Sequence, residues 1–233
     1  MKILITGVSS GVGFEAVLEL IQSNDHEVIA LARSEDKLKK LYDIAMGLNP
    51  DCKLFPATFD IVHDDYGSLQ TYVKEKTGSI DVLINNAGQL INKPFAEITH
   101  IDFAAMLQAN LLGHVKMIQN MLPLMNDNAH VVNIGSMGGY MGSVKFPGLA
   151  AYSASKAALH ALTECLAVEY TERNIHFNCL ALGSAQTEML EEAFPNYKSP
   201  VMAFEMGKYI ADFALTGHKF FNGKVIPVAV TTP

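Results

Sequence analysis

The sequence predicts an α/β fold, a doubly wound parallel sheet of about seven strands with helices on both faces. Three observations predict it. Short β-branched runs exchange regularly with longer amphipathic stretches, the pattern of successive βαβ units. Runs such as Val82 to Asn85 and His130 to Ile134 are apolar on both faces, as in a sheet covered by helices on both sides. The first run ends in a glycine-rich turn, Thr6-Gly7-Val8-Ser9-Ser10-Gly11-Val12-Gly13, that opens into a helical pattern. At 233 residues and 25.4 kDa the chain lies within the size at which such a sheet is one folding unit, so a single domain over residues 1–233 is expected.

In chain order, Lys2 to Thr6 is the opening strand, an aliphatic run stopped by Gly7, and Phe14 to Gln22 is the helix behind the glycine turn. Glu27 to Ala32 is the second strand, followed by a helix from Glu35 to Leu48. Lys53 to Asp60 is the third strand, weakened by Pro56, which has no N–H to give to a ladder. A helix from Tyr66 to Lys76 leads to the strand Asp81 to Asn85, and a long helical pattern from Asp102 to Met125 leads to the strand His130 to Gly135. The helix Tyr152 to Glu172, the strand His176 to Ala181, the helix Met202 to Leu215 and the strand Lys224 to Val230 complete the series. No repeat, low-complexity tract or linker divides the chain. The longest irregular segments, 88–99, 136–151 and 182–200, each follow a strand. Loops leaving the carboxyl ends of strands form the ligand crevice of an open parallel sheet, so function is expected there.

Composition narrows the function classes. Charged residues make up 18% of the chain, below the roughly 25% of an ordinary soluble domain. With hydrophobic residues at 49%, this points to buried surface beyond a monomer's core. The net charge of −7, from 17 basic and 24 acidic residues, argues against binding nucleic acid. Nothing approaches the roughly 18 consecutive apolar residues of a membrane helix. The opening MKILITG has neither the apolar segment nor the cleavage site of a signal peptide, so a cytoplasmic protein is expected. Cys52, Cys165 and Cys179 form no C-x-x-C pair and are expected as reduced core residues. The eight histidines show no metal-ligand spacing, and no metal is inferred.

The glycine turn carries the first chemical signal. Its spacing differs from G-x-G-x-x-G, but Gly7, Gly11 and Gly13 can serve the same needs: a tight turn, close backbone approach to a pyrophosphate, and close packing of helix on sheet. Three glycines between strand and helix also suit an ordinary tight turn. The following helix offers free N–H groups to phosphate. About 20 residues on, where an NAD site places a carboxylate, the chain has Ala32 followed by Arg33. An arginine there suits the 2′-phosphate of NADP; the alternative is a solvated arginine at a helix start.

Asn85-Asn86-Ala87-Gly88 after the fourth strand and Tyr152-Ser153-Ala154-Ser155-Lys156 later make the chain resemble the classical short-chain dehydrogenase/reductase family nearly end to end. The resemblance implies a Rossmann-type sheet in strand order 3-2-1-4-5-6-7 and hydride transfer between NAD(P) and a carbonyl or alcohol. Tyr152 and Lys156, four apart on a helix, share one face. An ammonium beside the phenol is expected to lower its pKa from about 10, making Tyr152 the general acid in reduction and base in oxidation. By the same resemblance Lys156 holds the nicotinamide ribose, Ser136 hydrogen-bonds the substrate oxygen, and Asn110 links the lysine to water in a proton relay. An asparagine in an apolar helix alternatively satisfies a backbone group. Ser136 stands sixteen residues before Tyr152, about three more than the family's usual spacing.

The resemblance further implies cofactor contacts from Ser9, Ser10, Val12, Asp60, Ile61, Asn86, Ala87 and Gly88, with Asp60 at adenine or, alternatively, capping the next helix. Leu182-Gly183 stands where relatives have Pro-Gly, and Gly183, Ala185 and Thr187 are expected at the carboxamide. Ser10 replaces a basic residue of many NADP-preferring relatives. Tyr140, Met141, Phe146, Met189, Leu190, Phe194 and Tyr197 suggest an apolar substrate pocket or loops packing on themselves, and Lys145 is either a contact for an acidic substrate or solvated. The expected protein is an NADPH-preferring carbonyl reductase. The alternatives are a catalytically silent NAD(P)-sensing protein and a 3-ketoacyl thioester reductase. Surplus apolar positions at Met106 to Met125 and Leu159 to Val168, the helices through which the family associates, imply a homodimer or homotetramer.

Overall fold

The computed structural model describes residues 1–230. Seven strands form one all-parallel sheet: β1 (Lys2–Thr6), β2 (Glu27–Ala32), β3 (Lys53–Thr58), β4 (Ile80–Asn85), β5 (Met125–Ser136), β6 (His176–Leu182) and β7 (Lys224–Val228). Their order is β3-β2-β1-β4-β5-β6-β7, as the resemblance implied. The order reverses between β1 and β4, and the crevice at their carboxyl ends is where such sheets bind ligands. Both outer strands contain a proline, Pro56 opposite Ala30 and Pro227 opposite Ala181. An edge strand has a neighbour on one side only, so a proline nitrogen turned outward costs no ladder bond.

Helices α1 (Gly11–Leu20), α2 (Glu35–Leu48) and α8 (Ala203–Thr216) cover one face, burying Val17, Leu20, Leu41 and Ile210 against Ile5, Val28 and Ile84. A side-chain carbon at Gly207 would lie 2.5 Å from the Glu15 Cβ, so glycine is what lets α8 lie directly on α1. Helices α3 (Tyr66–Lys76), α5 (Gly113–Met121) and α6 (Ala150–Glu169) cover the other face, burying Val73, Met117, Met121 and Ala167 against Leu4, Leu83 and Phe177.

The sequence reading differs from the structure at several places. The helix expected from Asp102 to Met125 is α4 (His100–Leu107), a π-turn at Gln108–Leu112, α5, and a 3-10 turn at Leu122–Leu124. Strand β5 starts five residues early because Asn126, Asp127 and Asn128, exposed and polar, occupy a register shift against β4, with Asn128 at φ 67°. Strand β3 ends at Thr58, so Asp60 sits in a turn rather than at a strand end. The Asp60 N–H turns to the Asp64 carboxylate at 2.7 Å. Cys179 is buried and Cys52 half-buried, but Cys165 is exposed on the outer side of α6, away from the stripe of Leu159, Thr163 and Ala167. Leu159 therefore belongs to the core, while Ile101, Leu112 and Val168 are exposed. Among the described residues, no helix is long and apolar enough to cross a membrane, and no three His, Cys, Asp or Glu side chains are grouped to hold a metal ion.

Candidate active site

A cavity of about 800 Å³ runs along the carboxyl ends of the strands. At one end it is lined by Arg33 and Asp60, and at the other by Ser136, Tyr152 and Lys156. The glycine turn, Ile61, the Asn86-Ala87-Gly88 turn and the segment from Gly183 to Thr187 lie between. All expected site residues line it except Asn110, which sits behind its wall.

Gly7 and Gly11 take left-handed φ values of 72° and 63°, where a side chain would be strained. A Cβ on Gly7 would lie 2.5 Å from the Ala87 Cα, and one on Gly13 would lie 2.6 Å from the Gly7 carbonyl oxygen while running into the Asn86 amide. Ser10 begins α1 in extended conformation without its side chain capping the helix, which leaves the first N–H groups free for an anion. Thr6 and Asn86 fix the two turns to each other. The Thr6 hydroxyl accepts from the Asn86 and Ala87 N–H groups, both at 3.0 Å, and the Asn86 amide donates to the Thr6 and Gly7 carbonyls at 3.0 and 2.8 Å. His114, buried on α5, adds a 2.7 Å contact to the Ala87 carbonyl. Sequence reasoning missed Thr6 and His114; the threonine preceding Gly7 was the available signal.

Asp60 does not cap α3. That role belongs to Asp65, which accepts from Gly67 and Ser68 at 3.2 and 3.0 Å. Burial works to raise the Asp60 carboxyl, but the Val62 N–H, His63 and Arg33 outweigh it and hold the group below the ordinary range.

At the other end, the Lys156 ammonium donates to the Ile134 carbonyl at 2.8 Å and lies 6.0 Å from the centre of the Tyr152 ring. Lys156 is 3% exposed, and burial pushes its pKa down to about 8. The expected lowering of the Tyr152 phenol by Lys156 does not occur. Burial raises it and the neighbouring Ser136 hydroxyl only partly opposes that, so the phenol keeps its proton at neutral pH. The Asn110 amide, at the π-turn, donates to the Gln89 carbonyl at 2.9 Å and the Ser155 hydroxyl at 3.0 Å, and accepts from the Gln89 N–H at 2.8 Å. Ser155 in turn donates to the Tyr152 carbonyl at 2.7 Å, so this network links the loop after β4 to α6.

The longer Ser136-to-Tyr152 segment holds a 3-10 turn at Met137–Gly139 and glycines 142 and 148 at φ 80° and 84°. Segment 182–200 is not irregular throughout, since it contains a six-residue helix, α7 (Glu188–Ala193), capped by the Thr187 hydroxyl accepting from Leu190 at 3.2 Å. Without the family proline this segment is held by the Gly183 N–H on the Val228 carbonyl and the Gln186 N–H on the Val201 carbonyl, both 2.8 Å. The Asn92 amide donates to the Ala193 carbonyl at 2.8 Å and the Lys93 backbone N–H to the Gly148 carbonyl at 3.1 Å, tying all three loops together. Phe146, Met189, Leu190, Phe194 and Tyr197 line the cavity as expected. Tyr140 and Met141 do not; Met141 is 92% exposed, because the turn at Gly142 directs it outward. Lys145 is not a substrate contact either, since its ammonium folds back on the Tyr140 carbonyl and the Ser143 hydroxyl of its own loop.

The residues present fit a nicotinamide dinucleotide. Gly7 and Gly13 let the glycine turn pack directly on the Asn86-Ala87 turn while both turns line the cavity, the helix N-terminus offers N–H groups, and cation and hydroxyls stand at opposite ends of one elongated cavity.

Comparison with known proteins agrees with this geometry. Oxidoreductase BOA17 of Botryotinia fuckeliana is 34% identical over 188 residues, 79% of this chain, and the match spans 65% of that relative's length. The 3-oxoacyl-[acyl-carrier-protein] reductase FabG of Thermotoga maritima is 34% identical over 192 residues, 81% of this chain and 76% of the relative. An NADPH-bound short chain oxidoreductase of Pseudomonas aeruginosa, described as having an atypical catalytic centre, superimposes with a TM-score of 0.85 at 22% identity, covering 97% of this chain and 94% of that one. Residues 1–198 match the family model for short chain dehydrogenase, and with the strand order, glycine turn and Tyr-Lys helix they establish that the chain belongs to the short chain dehydrogenase family of NAD(P)-dependent oxidoreductases.

Proposed function

We propose that the protein is an NADPH-preferring carbonyl reductase. The observation that carries this reading is one cavity lined by Arg33 at one end, by the glycine turn along its middle, and by Ser136, Tyr152 and Lys156 beneath an apolar lid at the other. When bound, NADPH supplies the hydride that adds to the carbonyl carbon. Ser136 and Tyr152 hold the carbonyl oxygen with their hydroxyls, and as negative charge grows there Tyr152 gives up its proton to complete the alcohol. Lys156, whose ammonium lies 6.0 Å from the centre of the Tyr152 ring, holds the nicotinamide ribose. Asn110 holds Ser155 and the loop at Gln89 so that Tyr152 and Lys156 keep their places.

Screening NADPH oxidation across aldehydes, ketones, quinones and acyl thioesters tests the activity; no turnover with any class would favour a silent NAD(P)-sensing protein. The likeness to a 3-oxoacyl-[acyl-carrier-protein] reductase favours acyl thioesters as the second reading. Arg33 makes a charge-assisted contact to the 2′-phosphate worth roughly 1.5 to 3 kcal/mol. Arg33→Ala then weakens NADPH by about 10- to 150-fold with NADH little changed. Equal losses for both cofactors in a binding titration would contradict the preference.

The pH dependence follows from Lys156. Its pKa is depressed to about 8, so its charge is present below that value and lost above it, while Tyr152 remains protonated. NADPH binding is expected to weaken as pH rises through about 8; a dissociation constant constant from pH 6 to 10 would remove Lys156 from the ribose contact. The exposed apolar residues Ile101, Leu112 and Val168 support a homo-oligomer built on α4 to α6. Sedimentation velocity is expected to give a multiple of 25.4 kDa, and a monomer at micromolar concentration would contradict it.

A further inference from the structure

Helix α7 carries part of the cavity lining, through Met189 and Leu190, and both its ends are tied to distant parts of the chain. Its last carbonyl, on Ala193, accepts from Asn92. Its first residue, Glu188, makes a 2.9 Å ion pair with Lys37 in the first turn of α2. Lys37 is the third residue of α2, four residues after Arg33, and its N–H is capped by the Ser34 hydroxyl, which fixes the start of α2. Thr187, next to Glu188, lies over the glycine turn, where its methyl would be 3.3 Å from a Cβ on Gly11. The Glu188 carboxyl is held below the ordinary glutamate range chiefly by the Lys37 ammonium, with smaller contributions from the Ser10 hydroxyl and Lys40. Glu188 thus faces two lysines and Ser10, of which Ser10 lines the same cavity as Arg33, while the Glu188–Lys37 pair stands just outside that lining.

Resting on the NADP reading above, we propose that Lys37 and Glu188 form a phosphate-sensitive latch: Lys37 is the second cation for the 2′-phosphate, and it exchanges Glu188 for that phosphate when NADPH binds. The exchange is favourable on elementary grounds. Both side chains of the pair are about half or more exposed, at 47% and 62%, and such pairs are weak ties screened by salt. A phosphate monoester carries about −1.5 to −2 charge against the single charge of a carboxylate and presents three strong acceptor oxygens. Lys37 then supplies the basic group whose usual place Ser10 occupies. Since Glu188 is the first residue of α7, the presence of phosphate at the adenosine end reaches the lid over the substrate end through one short helix.

Calorimetric titration with NADP+ and NAD+ tests the latch directly. Lys37→Met is expected to weaken NADP+ about tenfold or more and to leave NAD+ within about twofold. Glu188→Gln, which removes the competing charge, is expected to tighten NADP+ about threefold or more, again with NAD+ little changed. The proposal is overturned if Lys37→Met shifts both cofactors equally or neither, or if Glu188→Gln leaves NADP+ binding unchanged or weakens it. Arg33→Ala run alongside separates the two readings. If it selectively weakens NADP+ while Lys37→Met does not, the latch fails and the NADP preference stands; if Arg33→Ala is also unselective, both fall.

Discussion

Tyr152→Phe is expected to lower kcat for carbonyl reduction by about 10²- to 10⁴-fold, the usual contribution of a positioned proton donor. The change removes one hydroxyl and keeps the ring, so NADPH affinity should stay within about threefold and the melting temperature should barely move. The expected split between turnover and binding distinguishes a chemical role from a structural one. Burial keeps the phenol protonated at neutral pH, which fits it to give a proton rather than take one. Steady-state kinetics with a binding titration read both quantities; wild-type turnover in the phenylalanine variant would remove Tyr152 from the reaction.

The second large effect is expected at Gly13. A methyl group there meets the Gly7 carbonyl oxygen at 2.6 Å and the Asn86 amide, and Asn86 holds the glycine turn to the turn after β4 through its bonds to Thr6 and Gly7. Overpacking costs roughly 1 to 3 kcal/mol, and each displaced hydrogen bond about 1. Gly13→Ala is therefore expected to destabilise the fold by about 2 to 4 kcal/mol, lowering Tm by roughly 4 to 16 °C. It should also weaken both NADPH and NADH by more than about 100-fold, because the pyrophosphate cradle itself is displaced. Arg33→Ala should discriminate between the cofactors; Gly13→Ala should not. Thermal melts and titrations with each cofactor check the pair, and unaltered NADH binding in Gly13→Ala would contradict the cradle.

Much of this was legible in the sequence because local rules and the global fold agree. The strand runs are set by apolar side chains on both faces, and Gly7, Gly11 and Gly13 mark positions where the backbone has no room for a side chain or takes a left-handed turn. The i, i+4 spacing of Tyr152 and Lys156 puts both on one wall of the cavity. Other features depend on contacts remote in sequence. The six residues of α7 are too few for a helical period, and its cap at Thr187 becomes visible only beside Gly11. The break at Asn110 reflects an amide claimed by Gln89, in a loop 21 residues before it, and by Ser155, on α6, 45 residues after it. The direction of the Tyr152 shift was misread because spacing reveals a neighbouring charge but not the burial that outweighs it. Nothing in the sequence singles out Lys37, because its partner Glu188 comes to it from 151 residues away.

The central claim is hydride transfer to a carbonyl held by Ser136 and Tyr152. The most direct measurement uses NADPH deuterated at nicotinamide C4, with the best carbonyl substrate from the screen and mass spectrometry of the alcohol formed. One face of C4, when labelled, should deliver a single deuterium to the former carbonyl carbon in step with NADPH oxidised, and Tyr152→Phe should suppress the labelled product. Alcohol carrying no deuterium from either face, or NADPH consumed without alcohol, would contradict it.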